Sequence, residues 1–158
     1  SLHLSRVTNE EELYTALNSL FSMGEEAIVE TAVIGREVTC GVLGEEALAP
    51  ILVVSKGNYF DYHNKYAPDG AQEICPAPIA PEETAKVQDA ALRAHHALGL
   101  KGYSRADFIL QDNGTLYILE VNTTPGMTST SLVPREAAVK GMSFADLVEH
   151  LLELALER

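Results

Sequence analysis

Tyr-Ser-Arg-Ala-Asp-Phe-Ile-Leu-Gln-Asp-Asn-Gly-Thr-Leu-Tyr-Ile-Leu-Glu-Val-Asn-Thr-Thr-Pro-Gly, residues 103 to 126, reads as two apolar runs folded about a turn. Asp112-Asn113-Gly114 is the turn signal, because Asn and Gly accept the positive φ that a tight two-residue hairpin loop requires. The flanking runs, Ala106 to Leu110 and Leu116 to Val121, are rich in β-formers. With Asn113 and Gly114 as the loop, Asp112 faces Thr115, Asp107 faces Glu120 and Arg105 faces Asn122. Strand side chains alternate between faces, so Arg105, Asp107, Glu120 and Asn122 project from one side. Facing Cβ atoms lie roughly 5 Å apart, and two carboxylates that close repel unless something neutralises them. A divalent cation with oxygen ligands does so, and Asn122 offers a third oxygen beside Asp107 and Glu120. The other reading is an ordinary salt-bridged hairpin in which Arg105 satisfies both acids. The apolar residues on both faces (Ala106, Phe108 and Leu110; Ile109, Ile118) weigh against it, since a buried acidic pair is costly without compensation.

Arg-x-Asp, a hairpin, and then Leu-Glu-Val-Asn-Thr-x-Pro-Gly-Met-Thr (residues 119 to 128) resembles the C-terminal part of an ATP-grasp ligase. More narrowly, it resembles the D-alanine–D-alanine ligase family. The likeness runs over essentially all of residues 1 to 158, and the Glu-x-Asn-Thr-x-Pro-Gly-Met-Thr run is highly specific. It implies a single ATP-grasp C-terminal domain over residues 1–158, beginning inside the central domain's Ser/Gly loop. A full ligase also has an N-terminal substrate domain, which the resemblance places upstream of Ser1.

At 158 residues and 46% hydrophobic, the chain can bury a real core, and its length suggests one domain. Its net charge of −12, from 11 basic and 23 acidic side chains, disfavours nucleic-acid and anionic-membrane partners, which demand basic patches. A nucleotide is not excluded, since it needs only local cations and a metal. Cys40 and Cys75 have no metal-ligand or redox spacing and read as reduced structural thiols of a cytoplasmic protein. His3, His63, His95, His96 and His150 form no zinc pattern. No apolar stretch reaches the length of a membrane span.

Ser1 to Val7 reads as a loop and short strand; the resemblance makes it the end of a loop over ATP phosphates, with His3 where the family usually has glycine. Thr8 and Glu11 have capping-box spacing for a helix whose stripe is Leu13, Leu17, Leu20 and Phe21, ending near Gly24. Ala27 to Val33, Glu37 to Leu43 and Leu48 to Val54 read as an antiparallel meander. Glu30 is either an edge-strand carboxylate facing water or, by resemblance, part of the hinge strand that meets the adenine together with Val33. Glu37 matches the acid that accepts the ATP ribose hydroxyls, a sensible role for a carboxylate.

Ser55 to Pro78 is loop chemistry, punctuated by Gly and Pro. Its run Tyr59-Phe60-Asp61-Tyr62-His63-Asn64-Lys65-Tyr66 is similar to the mobile ω-loop of D-alanine–D-alanine ligases, which closes over ATP and the acyl phosphate. By that resemblance Lys65 brings charge to the phosphates, Tyr59 packs near the adenine, and Tyr66 serves the second-substrate subsite. A helix starts at Pro81, with Val87, Ala90, Ala91, Ala94, Ala97 and Leu98 as its buried stripe up to Gly99. Thr123 to Pro134 is a donor-rich loop, in which Gly126, Ser131 and Leu132 match positions that bind the second D-alanine. A helix over 134 to 140 and a last helix from Met142-Ser143-Phe144 complete an α+β unit, a mainly antiparallel sheet flanked by helices.

The resemblance implies ATP-dependent joining of two D-alanines through an acyl phosphate, for peptidoglycan synthesis. The cofactors would be ATP with two Mg2+ or Mn2+ ions, and the whole enzyme would be a homodimer. Arg105 and the Gly126 amide would stabilise the developing oxyanion. Residues 1 to 158 alone are expected to be inactive. A D-alanine–D-lactate or other carboxylate–amine ligase of the superfamily is an alternative, although the Lys65-Tyr66 pair favours dipeptide formation. A non-catalytic nucleotide-binding module is another. A retaining glycosidase also uses acids about 5 Å apart but leaves Asn122 and Arg105 unexplained.

Overall fold

The computed structural model describes residues 3–54 and 72–156. They fall into two compact units, one ending at Val33 and the other comprising Ile34–Val54 with the residues from Gln72 onward.

In the first unit the main element is helix α1, Glu10–Ser22. Its N-cap lies one residue later than the Thr8 spacing suggests: Asn9 Oδ1 accepts from the Glu12 amide at 2.9 Å. Glu12 in turn accepts from the amide and hydroxyl of Thr8, one residue before the N-cap, at 2.7 and 2.9 Å. Gly24 ends the helix at φ 77, in the left-handed region open to glycine. Ser5 to Val7 and Ala27 to Val33 form no strand among the described residues. Strand-like composition alone does not make a strand: a ladder needs a partner, and among the described residues neither segment pairs.

The second unit is built on an antiparallel sheet: β1 (Arg36–Leu43), β2 (Glu46–Ala47), β3 (Ile51–Val54), β4 (Gln72–Ile74), β5 (Tyr103–Leu110) and β6 (Leu116–Asn122). The order is β4-β3-β1-β5-β6, with β2 paired to β1. The expected third meander strand, Leu48 to Val54, begins only at Ile51, after Pro50, which has no amide to donate, and β2 falls just before the expected strand. Gln72–Ile74, expected as loop, pairs with β3 instead.

Helix α2, Pro81–Ala97, covers one face of the sheet. Val87 and Ala91 pack there with Val38, Cys40, Val42, Ala106, Phe108 and Leu110. His95, also buried in α2, shares a 2.7 Å hydrogen bond between Nδ1 and Ser104 Oγ on β5. Helices α3, Leu132–Val139, and α4, Phe144–Leu156, build a second cluster of Leu43, Leu48, Val133, Ala137 and Leu147. Helix α3 begins two residues earlier than the sequence reading. Ser143 and Asp146 cap α4 reciprocally, at 3.2 and 2.9 Å.

Candidate active site

The hairpin loop has three residues, not two. Gln111 N donates to Thr115 O, and Gly114, at φ 78, donates to Gln111 O, each at 2.9 Å. This is the three-residue hairpin with its third residue left-handed. Leu110 therefore faces Leu116, and Phe108 faces Ile118, one residue out of step with a two-residue loop. A bulge between Asp107 and Phe108, with Leu119 as the extra residue, restores the register beyond it. Asp107 then faces Glu120, and Arg105 faces Asn122. Across β5 from there, Thr39 faces Asp107 and Gly41 faces Arg105.

Alternation of side chains puts Glu37, Thr39 and Gly41 of β1 on the same face as Arg105 and Asp107, opposite the face that α2 covers. Two neighbouring rows result: Thr39, Asp107, Glu120, and then Gly41, Arg105, Asn122. Arg105 grips Asp107 as a fork, Nε to Oδ1 and Nη2 to Oδ2, both at 2.9 Å. The pair is mostly buried, with side-chain exposures of 14% and 18%. Thr39 Oγ1 donates to Asp107 Oδ1 at 2.5 Å, which fixes the carboxylate from the opposite side. Asn122 Oδ1 accepts from the Thr124 amide at 3.0 Å, which orients that oxygen and leaves a second lone pair.

Glu120 is exposed, and no hydrogen bond or ion pair among the described residues takes it up. Tyr117, Ile118 and Leu119 are also exposed, at 42%, 51% and 55%. The expectation of a hairpin buried on both faces therefore holds for β5 and fails for β6, which is the sheet edge. The ion-paired reading is realised for Asp107 but does not extend to Glu120. Three oxygen-bearing side chains on one face, two of them acids and only one of those neutralised, remain a donor set suited to a hard divalent cation.

The donor-rich loop after β6 turns back on itself. Ser131 Oγ accepts from the Thr128 amide at 3.0 Å and lies 2.8 Å from Thr128 Oγ1. A Cβ placed on Gly126 would stand 3.1 Å from Ser131 Oγ, so the structure brings Gly126 and Ser131 together, and Leu132 follows at the start of α3. Glu37 is half-buried on the face described above. Glu30 and Val33 belong to the first unit, with Glu30 exposed and Val33 half-buried along a groove beside α1. Tyr59, Lys65 and Tyr66 lie outside the described residues.

Sequence reasoning missed Thr39 and Glu136. Glu136 of α3 is fully buried and accepts from the Gly41 amide at 2.9 Å. Two signals pointed there: a glycine inside a strand often marks close backbone approach, and Glu136 shares the helical stripe of Val133 and Ala137.

The family model for the D-ala D-ala ligase C-terminus matches residues 1–153. The chain belongs to this family. It is 57% identical over 156 residues to the D-alanine--D-alanine ligase of Lawsonia intracellularis, covering 99% of this chain and 52% of that protein. The chain spans about half the length of the curated relatives it matches. Among solved structures, the Bacillus anthracis D-alanine--D-alanine ligase complexed with ATP superposes with a TM-score of 0.80 at 31% identity, covering 96% of this chain and 49% of that one. The VanG D-Ala:D-Ser ligase of Enterococcus faecalis gives a TM-score of 0.82 at 31% identity, covering 96% and 45%.

Proposed function

We propose that the chain supplies the nucleotide- and metal-holding face of a cytoplasmic D-alanine–D-alanine ligase. The observation that carries this reading is the pair of rows on β1, β5 and β6, in which Asp107, Glu120 and Asn122 offer oxygens from one face beside Arg105. Those three residues would hold Mg2+ or Mn2+, which neutralises phosphate charge when bound. Glu37, two residues along the same face, would accept from the ribose hydroxyls. Glu30 and Val33 would meet the adenine, with Tyr59 beside it, and Lys65 would face the phosphates.

The reaction needs one D-alanine carboxylate to attack the γ-phosphorus of ATP, releasing ADP and leaving an acyl phosphate. The amine of a second D-alanine then attacks the acyl carbon, and phosphate leaves as the peptide bond forms. Arg105 and the Gly126 amide would stabilise the negative oxygen of the tetrahedral intermediate. Gly126, Ser131 and Leu132 would seat the second D-alanine, with Tyr66 beside that subsite. The likeness to a D-Ala:D-Ser ligase favours one second reading, a hydroxylated second substrate.

Full-length protein given ATP, Mg2+ and D-alanine should release one phosphate per D-alanyl-D-alanine formed. ATP turnover without dipeptide would overturn the ligase reading. Preferential formation of D-alanyl-D-serine, when D-serine competes at equal concentration, would select the second reading.

A further inference from the structure

Glu136 is a carboxyl in an otherwise apolar stripe, with a relative exposure of 0%. One oxygen accepts from the Gly41 amide at 2.9 Å; the other is buried without a hydrogen-bond partner among the described residues. Its helix neighbour Arg135 does not neutralise it, because that guanidinium turns to the carboxylate and carbonyl of Glu73. A leucine would serve packing better at this position, since burying a carboxyl is costly. Gly41 is matched to it: a Cβ there would fall 2.2 Å from Glu136 Oε2, so a side chain at 41 and the carboxyl at 136 exclude one another. Gly41 lies directly opposite Arg105, and α3 opens with Ser131 and Leu132. One hydrogen bond therefore joins α3, the helix that begins at Ser131 and Leu132, to the strand row that carries Arg105.

We propose that Glu136 is a positioning residue which, by accepting from the Gly41 amide, sets Ser131 and Leu132 at a fixed distance from Arg105. This rests on the ligase reading, in which the second amino acid sits between those groups and Arg105 meets the oxygen of the attacked carbonyl. Reaction between two bound groups depends steeply on their spacing, so a slack helix would lose the second substrate first. Burial pushes the Glu136 carboxyl well above the usual range, with the Gly41 amide and Arg105 opposing that. A glutamine keeps a side-chain oxygen that can accept from the Gly41 amide, so an amide should replace the carboxyl.

The test uses full-length protein, with wild type making dipeptide as the control that the ligase reading holds. Glu136→Ala should raise the KM for the second D-alanine about 10- to 100-fold, the scale for groups that orient a site's own contacts, with the KM for ATP changed by less than about threefold. Glu136→Gln should stay within about threefold of wild type in both. Gly41→Ala should reproduce the Glu136→Ala phenotype, and the double variant should be no worse than the worse single one. If Glu136→Ala does not accumulate folded, Glu136→Met, similar in size but without the acceptor, takes its place. An active wild type with equal losses for ATP and D-alanine would mean a merely structural residue. A Glu136→Gln variant as impaired as Glu136→Ala would mean that charge matters, not the hydrogen bond; either outcome overturns the inference.

Discussion

Asp107 is fixed in place by neighbouring side chains alone. Arg105 holds both of its oxygens and Thr39 holds one of them again. A forked, mostly buried pair of this kind is geometrically specific in a way that exposed ion pairs are not. Arg105 was legible because Arg-x-Asp places the two on one strand face. Thr39 was not, since its role depends on β1 lying beside β5, a pairing between residues far apart in sequence. Thr39→Val keeps shape and strand propensity while removing the donor. Full-length Thr39→Val protein should need roughly tenfold more Mg2+ for half-maximal ATP turnover, in line with other groups that orient metal ligands. Its melting temperature should move by only a few degrees. An unchanged Mg2+ requirement would leave Thr39 as sheet packing alone.

Elements were read better than their edges. The hairpin, α1, α2 and α4 follow directly from period and capping chemistry, yet the α1 cap sits at Asn9 and not Thr8, because either residue can cap and the structure uses Glu12 to serve both. The hairpin loop was one residue short in the reading, and the Leu119 bulge compensates, which no propensity reveals. Beneath the site, α2 meets β5 through His95 and Ser104, with His95 Nε2 left without a hydrogen-bond partner among the described residues. Burial, and then the neighbouring His96, hold the His95 imidazole below its ordinary 6.5. Above that pH the histidine is neutral whether folded or unfolded. Below it, the unfolded chain binds a proton that the folded chain refuses, so this group's contribution falls with pH until the folded value is passed. The denaturant midpoint of the full-length protein should drop between about pH 7.5 and 5.5, and His95→Gln, which loses the titrating ring, should flatten that drop. An identical acid slope in the variant would show that His95 is not its source.

At the scale of the molecule, an antiparallel sheet was expected and is found, with one face given to α2 and the other covered only in part, by α3 at Gly41. The order β4-β3-β1-β5-β6 places β1 between the two halves of the meander and the hairpin, and this lets Glu37, Thr39, Arg105, Asp107, Glu120 and Asn122 share a face although they come from three strands. Pattern alone could show which side each strand buries, but not that β1 and β5 are neighbours. Under the proposed function, a chain of net charge −12 would meet the phosphates of ATP through a bound cation. The central claim is that Asp107, Glu120 and Asn122 are the ligands of that cation. Electron paramagnetic resonance of Mn2+, titrated into full-length protein with a non-hydrolysable ATP analogue, bears on it most directly. Glu120→Gln and Asn122→Ala should each bind Mn2+ at least about tenfold more weakly than wild type while remaining folded, since Glu120 is exposed and surface substitutions cost little stability. Wild-type Mn2+ affinity in both variants would contradict the claim.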